Sequence, residues 1–107
     1  MLSLQETWIK AAVEHKIINI DYFSARTKME DTNRDIEPDF IGTSRDRKNN
    51  GFWATFCHLR HEGPRCFQPN TVRRFTATSK TFTPSSNGRW QELVPLYNER
   101  GLKEKEF

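Results

Sequence analysis

The chain has 107 residues, one domain on the usual prior of roughly 100–200 residues each. Apolar residues make up only 35% of it, so the core has to be small, although three Trp, two Tyr and eight Phe compensate in part because each aromatic buries a large area. The net charge is +3, no apolar run approaches the roughly 20 residues of a membrane helix, the N-terminus lacks a signal-peptide pattern and no repeat or heptad recurs, so a membrane protein, a conventionally secreted one, a multidomain enzyme and a fibrous chain are not expected and the expected location is cytoplasmic.

Residues 3–15 read as a helix. Ser3 and Glu6 have capping-box spacing, and Leu4, Trp8, Ala11 and Ala12 recur at helical intervals, with Ile9 and Val13 widening the stripe. Over residues 17–23 the period becomes two: Ile18, Ile20 and Tyr22 alternate with Asn19 and Asp21, as in a half-buried strand. Residues 24–33 are polar and read as a loop. Arg34, Ile36, Pro38 and Phe40 alternate again, and the proline points to an edge or a bulge because it donates no ladder bond. Residues 43–51 read as a turn-rich hairpin connection containing Asn50-Gly51. The aromatic run 52–60 is the strongest strand. The tetrapeptide at 61–64 turns the chain, and residues 65–68 return. If that hairpin is tight, Arg60 faces Arg65 and His58 faces Phe67, and like charges in opposition need solvent or an anion between them. A short helical turn over 69–75, a Thr-rich strand over 76–83, a turn at 84–88, a last strand over 90–97 and a frayed polar tail over 98–107 complete the expected order. One helix followed by five or six closely spaced short strands predicts a mainly β fold, a small antiparallel barrel occupying residues 17–97 behind the helix.

Cys57 and Cys66 are too few for a disulfide scaffold and read as small thiols. Cys57, His58, His61 and Cys66 lie within ten residues, but the Cys-x₂-Cys spacing of structural zinc sites is absent and neighbours on a strand point to opposite faces, so no metal is expected. Charge is uneven along the chain: residues 60–74 hold four Arg and one acid, a local +3, and the remainder balances to zero. Such a patch attracts anions and nucleic acid.

The order of these motifs resembles the WYL domains of bacterial transcriptional regulators, over roughly residues 8–82. Ala12-Val13 followed by Ile18-Asn19-Ile20-Asp21-Tyr22-Phe23-Ser24 is similar to the family's helix pair and Tyr-x-Ser strand. Arg34-Asp35-Ile36-Glu37-Pro38 is similar to Arg-x-apolar-x-Pro. The naming strand is similar to residues 51–60, where Gly51-Phe52-Trp53 stands for the family tripeptide and Cys57-His58-Leu59-Arg60 for its Cys-His-x-Arg continuation. Arg65-Cys66-Phe67-Gln68-Pro69-Asn70-Thr71-Val72 corresponds to the last element, with Gln68 and Thr71 where the family has arginines and Asn70 where it has Asp. The resemblance implies an Sm-like, SH3-type barrel that senses a ligand for a regulator. It nominates Tyr22, Ser24, Arg34, His58, Arg60, Arg65 and Phe67 for the pocket. The family's winged-helix domain has no counterpart ahead of residue 3, so duplex DNA is not the expected ligand.

Arginine forks suit phosphate oxygens, and exposed aromatics such as Tyr22, Phe52, Phe56 or Phe67 would stack bases. A nucleotide or single-stranded nucleic acid is therefore the expected partner, in transcriptional or defence regulation. The competing expectation is a protein-interaction or oligomerisation barrel, a homodimer or a companion of a separate regulator, with Trp90, Leu93, Val94, Leu96 and Tyr97 as its contact segment. No nucleophile–base–orienter spacing and no phosphate-cradling glycine loop occur, so neither catalysis nor a cofactor is expected.

Overall fold

The computed structural model describes residues 2–24, 27–43, 50–57 and 65–107. Helix α1 (Leu4–Glu14) begins where Ser3 Oγ accepts the Glu6 N–H, at 3.1 Å. It ends at His15, whose left-handed φ of 58° reverses the chain without a linker, so that strand β1 (Lys16–Ser24) starts at the next residue. Strands β2 (Met29–Thr43), β3 (Asn50–Cys57), β4 (Arg65–Phe67) and β5 (Val72–Thr81) follow. All pair antiparallel, in the order β4-β3-β2-β1-β5. A single 3₁₀ turn, Pro69–Thr71, joins β4 to β5 and packs against both β1 and β3. The mainly β expectation holds.

The alternation of Ile18, Ile20 and Tyr22 sets the inner face. These residues pack with Ile36, Ala54 and Phe67 from the sheet and with Trp8 and Ala11 from α1. The opposite flank of α1 carries Ile9 and Ala12, which join Leu2, Leu93 and Leu102 in a second cluster. The helix therefore separates two small cores, a form of economy that suits a chain short of apolar residues.

Four expectations change. The long strand β2 begins at Met29, inside the stretch read as loop, because Asn33 takes a left-handed φ of 56° and absorbs a register shift between Ile20 and Tyr22. Asn tolerates that conformation better than most residues. The final segment, residues 90–99, is a 3₁₀ turn (Trp90–Leu93) running into α2 (Val94–Glu99), not a strand. Its apolar residues 90, 93, 96 and 97 recur every three to four positions, and Pro95 in the first turn suits a helix start. The tail does not fray as a whole: Leu102 is fully buried and its carbonyl accepts the Lys10 ammonium at 2.8 Å. Finally, Arg65 lies opposite Ala54 and Phe67 opposite Phe52, where a tight hairpin would have set Arg60 and His58. The register differs by six residues, an even number, so inward and outward faces are preserved. Pro38 behaves as expected for a bulge: the ladder between β2 and β3 shifts on both sides of it.

Candidate functional site

The nominated residues divide three ways. Tyr22, Arg34, Arg65 and Phe67 come together. Tyr22 and Phe67 are buried in the core, ring against ring at 4.8 Å in an edge-to-face contact. The Arg34 guanidinium is also buried and lies 6.0 Å from the Tyr22 ring centre. Arg65, half-buried on the short β4, is near enough for its charge to act on the Tyr22 phenol. Ser24 stands apart: its Oγ accepts the Thr27 N–H at 3.4 Å and its carbonyl the Lys28 N–H at 2.7 Å, so it holds the β1–β2 turn. His58 and Arg60 lie outside the described residues.

One member of the cluster escapes the sequence reading. Asp31 is the register partner of Tyr22, near enough for its carboxylate to act on the phenol, and pairs with Arg34 at 3.6 Å. It lies in the polar stretch read as loop. The only signal was the spacing Asp31…Arg34, which gains meaning once the Asn33 bulge sets Asp31 across from Tyr22. One guanidinium, that of Arg34, thus pairs with this carboxylate beside the tyrosine, and the Arg65 charge acts on the same phenol. Burial is the largest cause raising the Tyr22 phenol above its ordinary range, with Asp31 adding to it against the two arginines. The hydroxyl stays protonated at neutral pH.

Burial also corrects the stacking expectation. Tyr22 and Phe67 are only 5% and 6% exposed, so their faces fill the core and are not platforms for bases. The basic window is largely answered across the sheet. Arg73 meets Glu30 at 3.2 Å and the Asn70 carbonyl. Arg74 grips Asp21 at 3.1 Å and also reaches Asn19, and its guanidinium holds the Asp21 carboxyl below its ordinary range. Acids on β1 and β2 that are remote in sequence therefore pair, at the surface, with two arginines that looked unpartnered. Cys66 is exposed and forms no disulfide among the described residues. Among the described residues no group of His, Cys, Asp and Glu is arranged to hold a metal, and no helix is long and apolar enough to cross a membrane.

No family model and no curated protein matches the sequence. The fold, however, matches a solved structure, the proteasome accessory factor B/C (PafBC) of Arthrobacter aurescens, with a TM-score of 0.58 and 20% identity. The match covers 80% of this chain and 13% of that one. At this identity the likeness is one of fold, and the chain spans about an eighth of the length of the protein it matches.

Proposed function

We propose that this chain is a ligand-sensing regulatory module of WYL type and that its Arg34–Arg65 cluster receives an anionic group, the phosphate of a nucleotide or of single-stranded nucleic acid. The observation that carries the reading is the meeting of the buried Arg34 guanidinium with Tyr22 and Asp31, with the half-buried Arg65 near enough to act on the same phenol. Arginine forks suit bidentate bonds to an anionic group. The fold likeness to PafBC, a regulator that contains a WYL domain, supports a regulatory role in coarse terms. Because Tyr22 and Phe67 are core, recognition at this cluster rests on phosphate and not on stacking against those two rings, and modest sequence preference is expected. A raised phenol and an arginine-bound carboxylate are poor nucleophiles and bases, so the reading is a binding module and not an enzyme.

The test is a titration of labelled single-stranded DNA and RNA, and of mononucleotides, at low and moderate salt. Binding should weaken as salt rises and fall at least tenfold in Arg65→Ala, with partial retention in Arg65→Lys. Arg60→Ala, run in parallel, reports whether the expected partner arginine takes part. Binding that ignores both salt and Arg65→Ala refutes the reading.

A further inference from the structure

Strand β5 ends the sheet: among the described residues its ladder is with β1 alone. Along it runs a groove of about 400 Å³, lined by residues 73–77 and walled by Leu2, Thr7 and Phe107. Successive strand side chains point to opposite faces. Five consecutive residues line one groove only where it follows the strand's edge and meets the main chain itself. Residues 74–77 keep an even register with β1, and register shifts bound that stretch on both sides. An unpaired edge that is regular over several residues is a template for another strand.

We propose that this groove takes an extended acidic peptide of a partner protein, added as a further strand on β5. It shares no residue with the Tyr22 cluster. Charge selects the occupant. Arg73 and Arg74 leave 54% and 44% of their side chains exposed beside the groove, and Lys80 farther along leaves 67%. Among the described residues lining the groove there is no acid. The ion pairs of Arg73 and Arg74 are on the surface, where such pairs are weak, and each guanidinium has donors to spare. Leu2, Phe75 and Phe107 supply apolar wall for alternate side chains of the peptide. A second copy of the chain fits poorly: the opposite end of the sheet is β4, three residues long, bringing Arg65 and no acid.

The experiment is a titration of the isotope-labelled full chain with a blocked Glu-Val-Glu-Phe-Glu-Val peptide, followed by amide resonances. Saturable shifts concentrated in residues 72–77 are expected, at least tenfold weaker for the peptide N-methylated at alternate positions and for its Lys-for-Glu counterpart. Arg73→Glu/Arg74→Glu should reverse the preference between the Glu and Lys peptides, with a dispersed spectrum reporting that the variant is folded. The two peptide controls on the unaltered chain decide the matter if it is not. No saturable shift at millimolar peptide, shifts centred elsewhere, equal binding of the N-methylated peptide, or no charge preference would each overturn the proposal. So would concentration-dependent dimerisation that moves the same amides without peptide.

Discussion

Replacing Asp39 tests how the C-terminal segment is held. Its buried carboxylate, on β2, accepts the Arg89 N–H through both oxygens at 2.9 and 3.0 Å. It thus caps the 3₁₀ turn from across the chain, while the Arg89 guanidinium stacks on Phe40 at 3.7 Å. Asp39→Ala leaves the Arg89 N–H without its charged acceptor, a loss of about 1.5–3 kcal/mol if it stays dry. Two effects reduce the total: water reaches the exposed Arg89, and a buried charge no longer has to be desolvated. We expect a loss of about 2 kcal/mol, which for a domain near this size lowers Tm by roughly 8–16 °C. Asp39→Asn keeps one acceptor oxygen and should lose about half as much. Burial is the first cause acting on the Asp39 carboxyl and raises it above its ordinary range, outweighing the backbone bonds. The folded state therefore holds that proton more tightly than the unfolded one. The group's contribution to stability is greatest below the ordinary Asp range and declines as pH rises through the raised folded value. The deficit of Asp39→Asn relative to the native chain should accordingly shrink from acid to neutral pH. Urea unfolding by circular dichroism across that range, with amide exchange at Arg89 and Trp90, gives both numbers. A change under 0.5 kcal/mol in Asp39→Ala, against the expected ~2, or an Asn deficit that grows toward neutral pH, would refute the reasoning.

Three further outcomes are expected. Gly88→Ala would set its Cβ 2.7 Å from Asp39 Oδ1 and 3.0 Å from the Ser85 carbonyl, so it should destabilise by about 1–3 kcal/mol, and by less when combined with Asp39→Ala, as a double-mutant cycle in urea would measure. His15 packs its imidazole against Trp90 at 4.6 Å and Phe82 at 5.9 Å with Nε2 buried and unbonded, and burial lowers its pKa; its contribution is present above the ordinary His range and lost as pH falls through the lowered value, a loss that His15→Asn, which tolerates the left-handed backbone, should abolish in a stability–pH profile. The Tyr97 phenol, half-buried and bonded to Glu14 at 2.7 Å, is pushed up to about 12; ultraviolet titration should find it protonated at pH 11, and Tyr97→Phe should cost about 0.5–1.5 kcal/mol in urea unfolding.

Local chemistry made much of this fold legible. Ser3 and Glu6 mark the start of α1, the alternation of Ile18, Ile20 and Tyr22 marks an inward face, and Pro38 marks a bulge. Each is a short-range effect: a cap bonds within one turn, a strand's side chains alternate every residue, and proline lacks its own N–H. The inner-face assignment survived even the misjudged β3–β4 register, because the slip was even. The motif order pointed at Tyr22, Arg34, Arg65 and Phe67, and these four do meet.

What the tertiary structure alone decided depends on partners remote in sequence. Asp31 joined the cluster because a left-handed Asn33 shifted the ladder by one residue. Arg73 and Arg74 looked like free positive charge until β1 and β2 brought Asp21 and Glu30 beside them. Residues 90–102 looked like a strand and a loose tail, yet Asp39, Lys10 and the outer flank of α1 hold them as docked helical turns. Tyr22 and Phe67, written as aromatics beside arginines, turned out to fill the core. Charge balance and burial are sums over neighbours in space, and a chain in which Tyr97 bonds Glu14 and Arg89 bonds Asp39 sets most of those neighbours by contacts that no local pattern encodes.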